Sequence, residues 1–164
     1  NDKREWITSC GAKRAYVRGQ FAEQYDWHCA AIFSGWTDGN YQRDYAFVKL
    51  RSRSPSWMSL DLAMPGHAES IGYPSHYYSG QVPMRVDGPI EAGRGVSRMR
   101  GNPFGKGSSG GVWHVGGVAV SVNSFKYDND PNSMYGPTFN SMVRTLFNLV
   151  RQGCPPDPSG RRVA

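Results

Sequence analysis

Nowhere in this sequence do the roughly 18 consecutive apolar residues of a membrane-spanning helix occur, so a membrane is excluded as a partner and the chain reads as soluble. Cysteine is scarce, with 3 residues and no C-x-x-C pair, which excludes a zinc ribbon or a thiol redox motif. Histidine, cysteine and carboxylate do not cluster at ligand spacing, so neither a metal nor an organic cofactor is expected. Dense basic runs, zinc-finger spacing and aromatic RNA-binding motifs are missing too, and nucleic acid is therefore not an expected partner. There is no internal repeat and no signal-peptide pattern. The chain opens on Asn1 instead of Met, so its first residue is expected not to be the first one translated.

What is present points to a β protein. The 164 residues carry 13% aromatic side chains and 38% hydrophobic ones, enough for a real core and too many for disorder. Gly (20) and Pro (11) recur every few residues, which suits many short strands joined by tight turns. The net charge of +6 and the pI of 9.4 come from scattered residues such as Arg43, Lys49, Arg51, Arg85, Arg94 and Arg100, and read as a solvated basic surface. In an oxidising compartment Cys10 and Cys29 are placed to bridge neighbouring strands, a closure worth about 3 kcal/mol. Cys154 is then left free or paired with a cysteine upstream of Asn1, and three unpaired thiols in a reducing compartment are the remaining alternative.

Along the chain, strands are expected from Trp6 onward, notably over Cys29 to Phe33 and Tyr45 to Leu50, with a turn at Thr37-Asp38-Gly39-Asn40. The polar, irregular stretch from Arg51 to Pro65 reads as a linker. It divides a first unit, residues 1–55, from a second, 56–153. Further strands are expected at Ser70 to Tyr73, Gly80 to Val86, Gly88 to Glu91, Gly111 to Val115 and Gly117 to Asn123. Apolar residues at three- and four-residue spacing from Phe139 to Val150 predict an amphipathic helix over Thr138 to Gln152, stopped by Gly153. Residues 154–164, rich in proline, are expected to be a loose tail.

Two strings carry chemistry. Gly107-Ser108-Ser109-Gly110-Gly111 offers a serine on a glycine turn tight enough to aim two backbone N–H groups at one developing oxyanion. Arg43-Asp44-Tyr45-Ala46-Phe47-Val48-Lys49-Leu50 sets an acid at the head of an apolar strand, where a carboxylate can orient an imidazole and stabilise the imidazolium.

Together with Gly35-Trp36-Thr37, Ile71-Gly72-Tyr73-Pro74, Val122-Asn123-Ser124-Phe125 and Met134-Tyr135-Gly136-Pro137, these strings resemble the trypsin and chymotrypsin superfamily of serine peptidases. The nearest likeness is to its bacterial and fungal glutamyl-endopeptidase-like, trypsin-like branch. The resemblance covers roughly residues 30 to 150. It implies an all-β, trypsin-like double β-barrel with the first barrel incomplete, the second complete and a C-terminal helix. It also implies a secreted, monomeric endopeptidase acting on peptide or protein substrates through an acyl-enzyme. On that likeness Ser109 is the nucleophile, Asp44 the triad acid, the N–H groups of Gly107 and Ser109 the oxyanion hole, and Val122, Asn123, Ser124 and Phe125 the edge that pairs with the substrate backbone.

The family's general-base histidine precedes the acid in a Thr-Ala-Ala-His-Cys-like segment that has no counterpart here. Asn1-Asp2-Lys3-Arg4 resembles the loop following that histidine, so the base is expected within about ten residues upstream of Asn1, and the chain as it stands is expected to be nearly inactive. His28 lies inside a barrel strand, and His67, His76 and His114 read as loop or surface residues. Pro103 stands where trypsin carries its specificity acid, and Val122 to Phe125 holds none of the histidine that selects Glu in some relatives, so cleavage specificity is left unassigned. Ser108 occupies the position of the zymogen-activation Asp, so the usual activation switch is not implied either. Two other readings are a non-catalytic homologue that binds or scaffolds, and a polyanion-binding β module.

Overall fold

A computed structural model describes residues 10–33, 36 and 39–154. Trp6, Asn1 to Arg4, Gly35, Thr37, Asp38 and residues 155–164, on which several expectations fall, lie outside the described residues.

Alternation of apolar and polar side chains builds two sheets. In the first, β1 (Gly11–Arg14), β2 (Glu23–Ile32) and β3 (Ala46–Leu50) pair antiparallel in that order. The second contains β4 (Ser59–Leu60), β5 (His67–Gly72), β6 (Met84–Glu91), β7 (Val96–Arg100), β8 (Val112–Val115), β9 (Val118–Val122) and β10 (Ser133–Pro137). Its order is β10-β7-β6-β5-β8-β9-β4, antiparallel except for the β4–β9 pair. The runs expected at Gly80 to Val86 and Gly88 to Glu91 merge into one strand, β6, which begins only at Met84; Gly80 instead ends a 3-10 turn, Tyr78–Gly80. A Cβ at Gly88 would come within 2.4 Å of Arg100 O, so glycine there lets β6 press against β7 without breaking.

The second sheet does not close into a complete barrel. After Val122 the chain leaves β8, and Asn123 spends its backbone on the 108–111 loop: its N–H donates to Gly111 O (2.7 Å) and its C=O accepts from Gly110 N (2.9 Å). A bridge between Phe125 and Tyr135, with Ser124 N–H donating to Tyr135 O (2.9 Å), then joins this segment to β10.

Helix α1 (Ser141–Arg151) falls inside the expected span. The Asn140 side chain accepts from Met142 N (2.9 Å) and caps it, and Gly153, at φ +108°, ends it. Its buried stripe, Val143, Leu146 and Val150, packs on the first sheet against Cys29, Ala31, Phe33 and Tyr45. A second core forms inside the larger sheet around Met99, Phe104, Trp113, Val120 and Met134. Burial of the helix stripe carries Cys154 to β2, where it forms a disulfide with Cys29 across 125 residues. The pairing of Cys10 with Cys29 is thereby corrected: Cys10 is a free thiol. Cys154 is buried, not part of a loose tail.

Candidate active site

The glycine string forms a loop anchored from beneath by buried polar groups. Ser108 is 1% exposed. Its N–H (3.1 Å) and its hydroxyl (2.7 Å) both donate to Gly105 O, so the group is satisfied locally and requires no partner from elsewhere. Asn123 fastens the loop to the core: its amide Nδ2 donates to Ser108 O (3.2 Å), while its Oδ1 accepts from Trp113 Nε1 (2.6 Å) and Ser70 Oγ (3.0 Å). A Cβ at Gly111 would sit 2.2 Å from Ile71 O, which fixes glycine where the loop re-enters the sheet.

Ser109 is exposed at the crest of this loop. Gly107, two residues earlier, has φ +87°, and a Cβ on it would lie 2.7 Å from Tyr73 O. Among the described residues the N–H groups of Gly107 and Ser109 donate to no other group, so the turn presents two free donors near one hydroxyl. Gly107→Ala is expected to force this peptide to turn, slowing covalent labelling of Ser109 about 100-fold in a fluorophosphonate assay.

Two cavities meet at Ser109. One, of about 350 Å³, is lined by Ile71 to Tyr73 and by Gly107 to Val112. The other, of about 300 Å³, runs from Gly105, Lys106, Ser108 and Ser109 to Ser124, Phe125, Lys126 and Met134. Ser124 is the link to the first sheet, because its Oγ donates to Asp44 Oδ2. Asp44 follows a 3-10 turn, Tyr41–Arg43, capped by Asn40, and leads into β3. It is half-buried, and loss of hydration pushes its pKa up, opposed by the Ser124 hydrogen bond. Stacked rings hold the two sheets together here: Tyr41 packs on Phe125 (centroids 4.3 Å apart) and Phe125 on Tyr135 (5.4 Å).

Of the expected substrate edge, Val122 pairs with Val112 of β8, Asn123 serves the loop, and Phe125 exchanges hydrogen bonds with Tyr135. Along this edge, the backbone groups without a partner among the described residues are Ser124 C=O and both groups of Lys126, a residue that the sequence motif stopped one position short of.

Neither cavity at Ser109 is lined by a histidine. His28 lies exposed on β2 at a register shift between Trp27 and Cys29, and His76 is exposed beside Tyr77. His67 is exposed on β5. His114, expected at a surface or in a loop, lies on β8, within the strand expected at Gly111 to Val115, and its side chain is only 14% exposed. Its Nε2 lies 2.9 Å from Glu69 Oε1 but off the hydrogen-bond direction, so both ring nitrogens lack a hydrogen bond among the described residues.

No family model and no curated protein matches the sequence. Solved structures do. A thermostable serine protease AL20 from an extremophilic microorganism is 23% identical, with a TM-score of 0.75 over 87% of this chain and 74% of that one. A Glu endopeptidase solved in complex with MPD is 15% identical, with a TM-score of 0.81 over 92% and 75%. Human heparin binding protein is 14% identical, with a TM-score of 0.68 over 88% and 75%. Two sheets meeting at a glycine loop, the C-terminal helix and these likenesses together establish that the chain has the trypsin-like serine protease fold.

Proposed function

We propose that this chain is a serine endopeptidase unit that hydrolyses peptide bonds through an acyl-enzyme on Ser109. The observation that carries the reading is one continuous cleft: Ser109 and Ser124 line the same cavity, and the Ser124 hydroxyl donates to Asp44. In the proposed reaction a base removes the Ser109 Oγ proton and the oxygen attacks the carbonyl carbon. The oxyanion that forms accepts from the Gly107 and Ser109 N–H groups, and the amine leaves with the proton from the base. Water, activated by the same base, then releases the acyl group and restores the serine.

The base is an imidazole held by Asp44. None of His28, His67, His76 and His114 lines the cleft, so we assign this role to a histidine contributed from N-terminal of Asn1. Peptides or proteins are the substrates. An extracellular site of action is supported by the Cys29–Cys154 disulfide, and among the described residues no helix is long and apolar enough to cross a membrane.

A second reading has an observation of its own. With none of the chain's four histidines lining the cleft, a non-catalytic homologue that binds a partner would have the same geometry, and human heparin binding protein has a name of that kind on the same fold. Imidazole supplied in solution separates the two. The isolated chain is expected to react slowly with a fluorophosphonate, and millimolar imidazole is expected to speed the reaction about 10- to 100-fold, below the full general-base contribution because the ring is untethered. Ser109→Ala should remove the label. Labelling that ignores imidazole, or that survives the alanine, rejects the endopeptidase reading in favour of the binding one.

A further inference from the structure

Between β3 and β4 the chain crosses from one sheet to the other with almost no hydrogen bonds of its own. Arg51 N–H donates to Asp26 O (2.9 Å) at one end, and Ser59 N–H donates to Gly117 O (3.1 Å) at the other. From Ser52 to Trp57 the only hydrogen bond among the described residues is internal to the segment, Ser56 N–H to the Ser54 hydroxyl at 3.4 Å. Arg51, Ser52, Arg53, Pro55 and Ser56 are exposed, and Trp57 is 83% exposed. Neither Arg51 nor Arg53 has an ion-pair partner among the described residues.

A peptidase takes up its substrate as an extended strand, so a segment with free N–H and C=O groups enters a foreign cleft without unfolding the rest of the molecule. Arg51-Ser52-Arg53-Ser54 meets that demand, with serine and not proline after each arginine. Arginines elsewhere are held. Arg85, Arg98 and Arg100 lie on paired strands, and Arg144 and Arg151 on α1. Arg18 N–H donates to Gln81 O (2.7 Å). Arg94 lies in the short turn 92–95, whose Gly93 O and Gly95 O accept from Thr138 Oγ1 (3.3 Å) and Thr138 N–H (2.9 Å). A cut at any of these positions requires local opening first.

We propose that Arg51-Ser52-Arg53-Ser54 is a processing site for an endopeptidase that cuts after arginine, and that the product is a two-chain protein joined through Cys29 and Cys154. Water adds across the Arg53–Ser54 or the Arg51–Ser52 bond, leaving a carboxylate on the arginine and an ammonium on the serine. Cys29 then belongs to the first chain and Cys154 to the second, so the disulfide, with its 125-residue separation, encloses the cut. Docking survives as well, because Val143, Leu146 and Val150 of the second chain stay buried against Ala31, Phe33 and Tyr45 of the first. Neither cavity at Ser109 is lined by residues 51–58, so the lining of the cleft is untouched. Asp44 and Ser109 end on different chains, linked by a covalent bond that a reductant opens. The inference does not depend on Ser109 being a nucleophile.

Limited digestion with trypsin under native, non-reducing conditions tests it. Among the bonds within residues 10–154, the first to be cut is expected to follow Arg51 or Arg53, identified by fragment mass and by a new N-terminal Ser52 or Ser54. On a denaturing gel the product should run as one species without reductant and as two once dithiothreitol is added. Without denaturant or reductant it should elute from a sizing column with the uncut chain. Changing both arginines, Arg51→Gln together with Arg53→Gln, should slow the first internal cut about 100-fold, because every remaining site has to open locally. Both side chains are exposed and unpaired, so Tm of this variant should match wild type, which separates loss of the site from loss of the fold. A first cut elsewhere between residues 10 and 154, two species before reduction, release of a fragment on the sizing column, or cutting of the double variant at the wild-type rate overturns the proposal.

Discussion

Replacing Cys29 and Cys154 together with alanine is expected to destabilise the protein by about 4 kcal/mol, the scale for a cross-link that closes a very long loop. At this chain size that corresponds to a fall of roughly 10 °C in Tm, read by calorimetry under non-reducing conditions. The disulfide spans 125 residues and is buried with Val143, Leu146 and Val150, so its loss also loosens the docking of α1 on β2 and β3. Dithiothreitol should reproduce the effect in the wild-type chain and add nothing in the double variant. Cys10→Ser is the matched control: the thiol is free, and its replacement should shift Tm by no more than an ordinary surface change. A Tm loss on Cys10→Ser as large as that of the double variant would mean that the Cys10–Cys29 pairing holds in solution.

Asp44→Asn is expected to move activity and stability in opposite directions. The amide still accepts from Ser124 Oγ but cannot stabilise an imidazolium; in the serine-protease template the same change lowers turnover about 10⁴-fold. Here most of the acceleration of Ser109 labelling by imidazole should disappear. Stability follows from the sign of the pKa shift. Burial raises the Asp44 pKa, so its contribution to the fold is fully present below the ordinary carboxyl value and is lost as pH rises through the raised one. At neutral pH the carboxylate is therefore a net liability that the amide lacks. Tm of Asp44→Asn should exceed wild type at pH 7, and the gap should close near pH 3. A carboxylate with a purely structural role predicts the reverse, a variant that melts earlier at neutral pH.

The local structure of the strings proposed to carry chemistry was legible because short strings make strong local demands. Gly107 needs a positive φ, Asp44 follows a capped turn, and the helix stripe repeats at helical spacing. Strands β1, β7 and β10 were not legible. Gly11–Arg14 and Val96–Arg100 are short and half polar, and Ser133–Pro137 carries Gly and Pro, so their pairing depends on neighbours remote in sequence. The partner of the helix was hidden for the same reason. An apolar stripe states that it must be covered without stating by what, and the cysteine pairing followed the helix to the first sheet. His114 was misread because the strand after Ser109 buries that position, and Lys126 was passed over because it lies one residue beyond the recognised Val122 to Phe125 string.

Lys49 Nζ donates to Arg151 O, and Cys154 closes on Cys29, so an element late in the sequence clasps a sheet formed by residues far earlier in it. A chain still emerging from the ribosome has made Asp44 and Ser109 well before it has made α1. Until the helix arrives, the sheet bearing Asp44 lacks its cover, and the two halves of the cleft meet through the Ser124–Asp44 hydrogen bond and the Tyr41–Phe125 ring contact without that backing. The helix and its cross-link are thus made later than both Asp44 and Ser109, and the cross-link forms only in an oxidising setting.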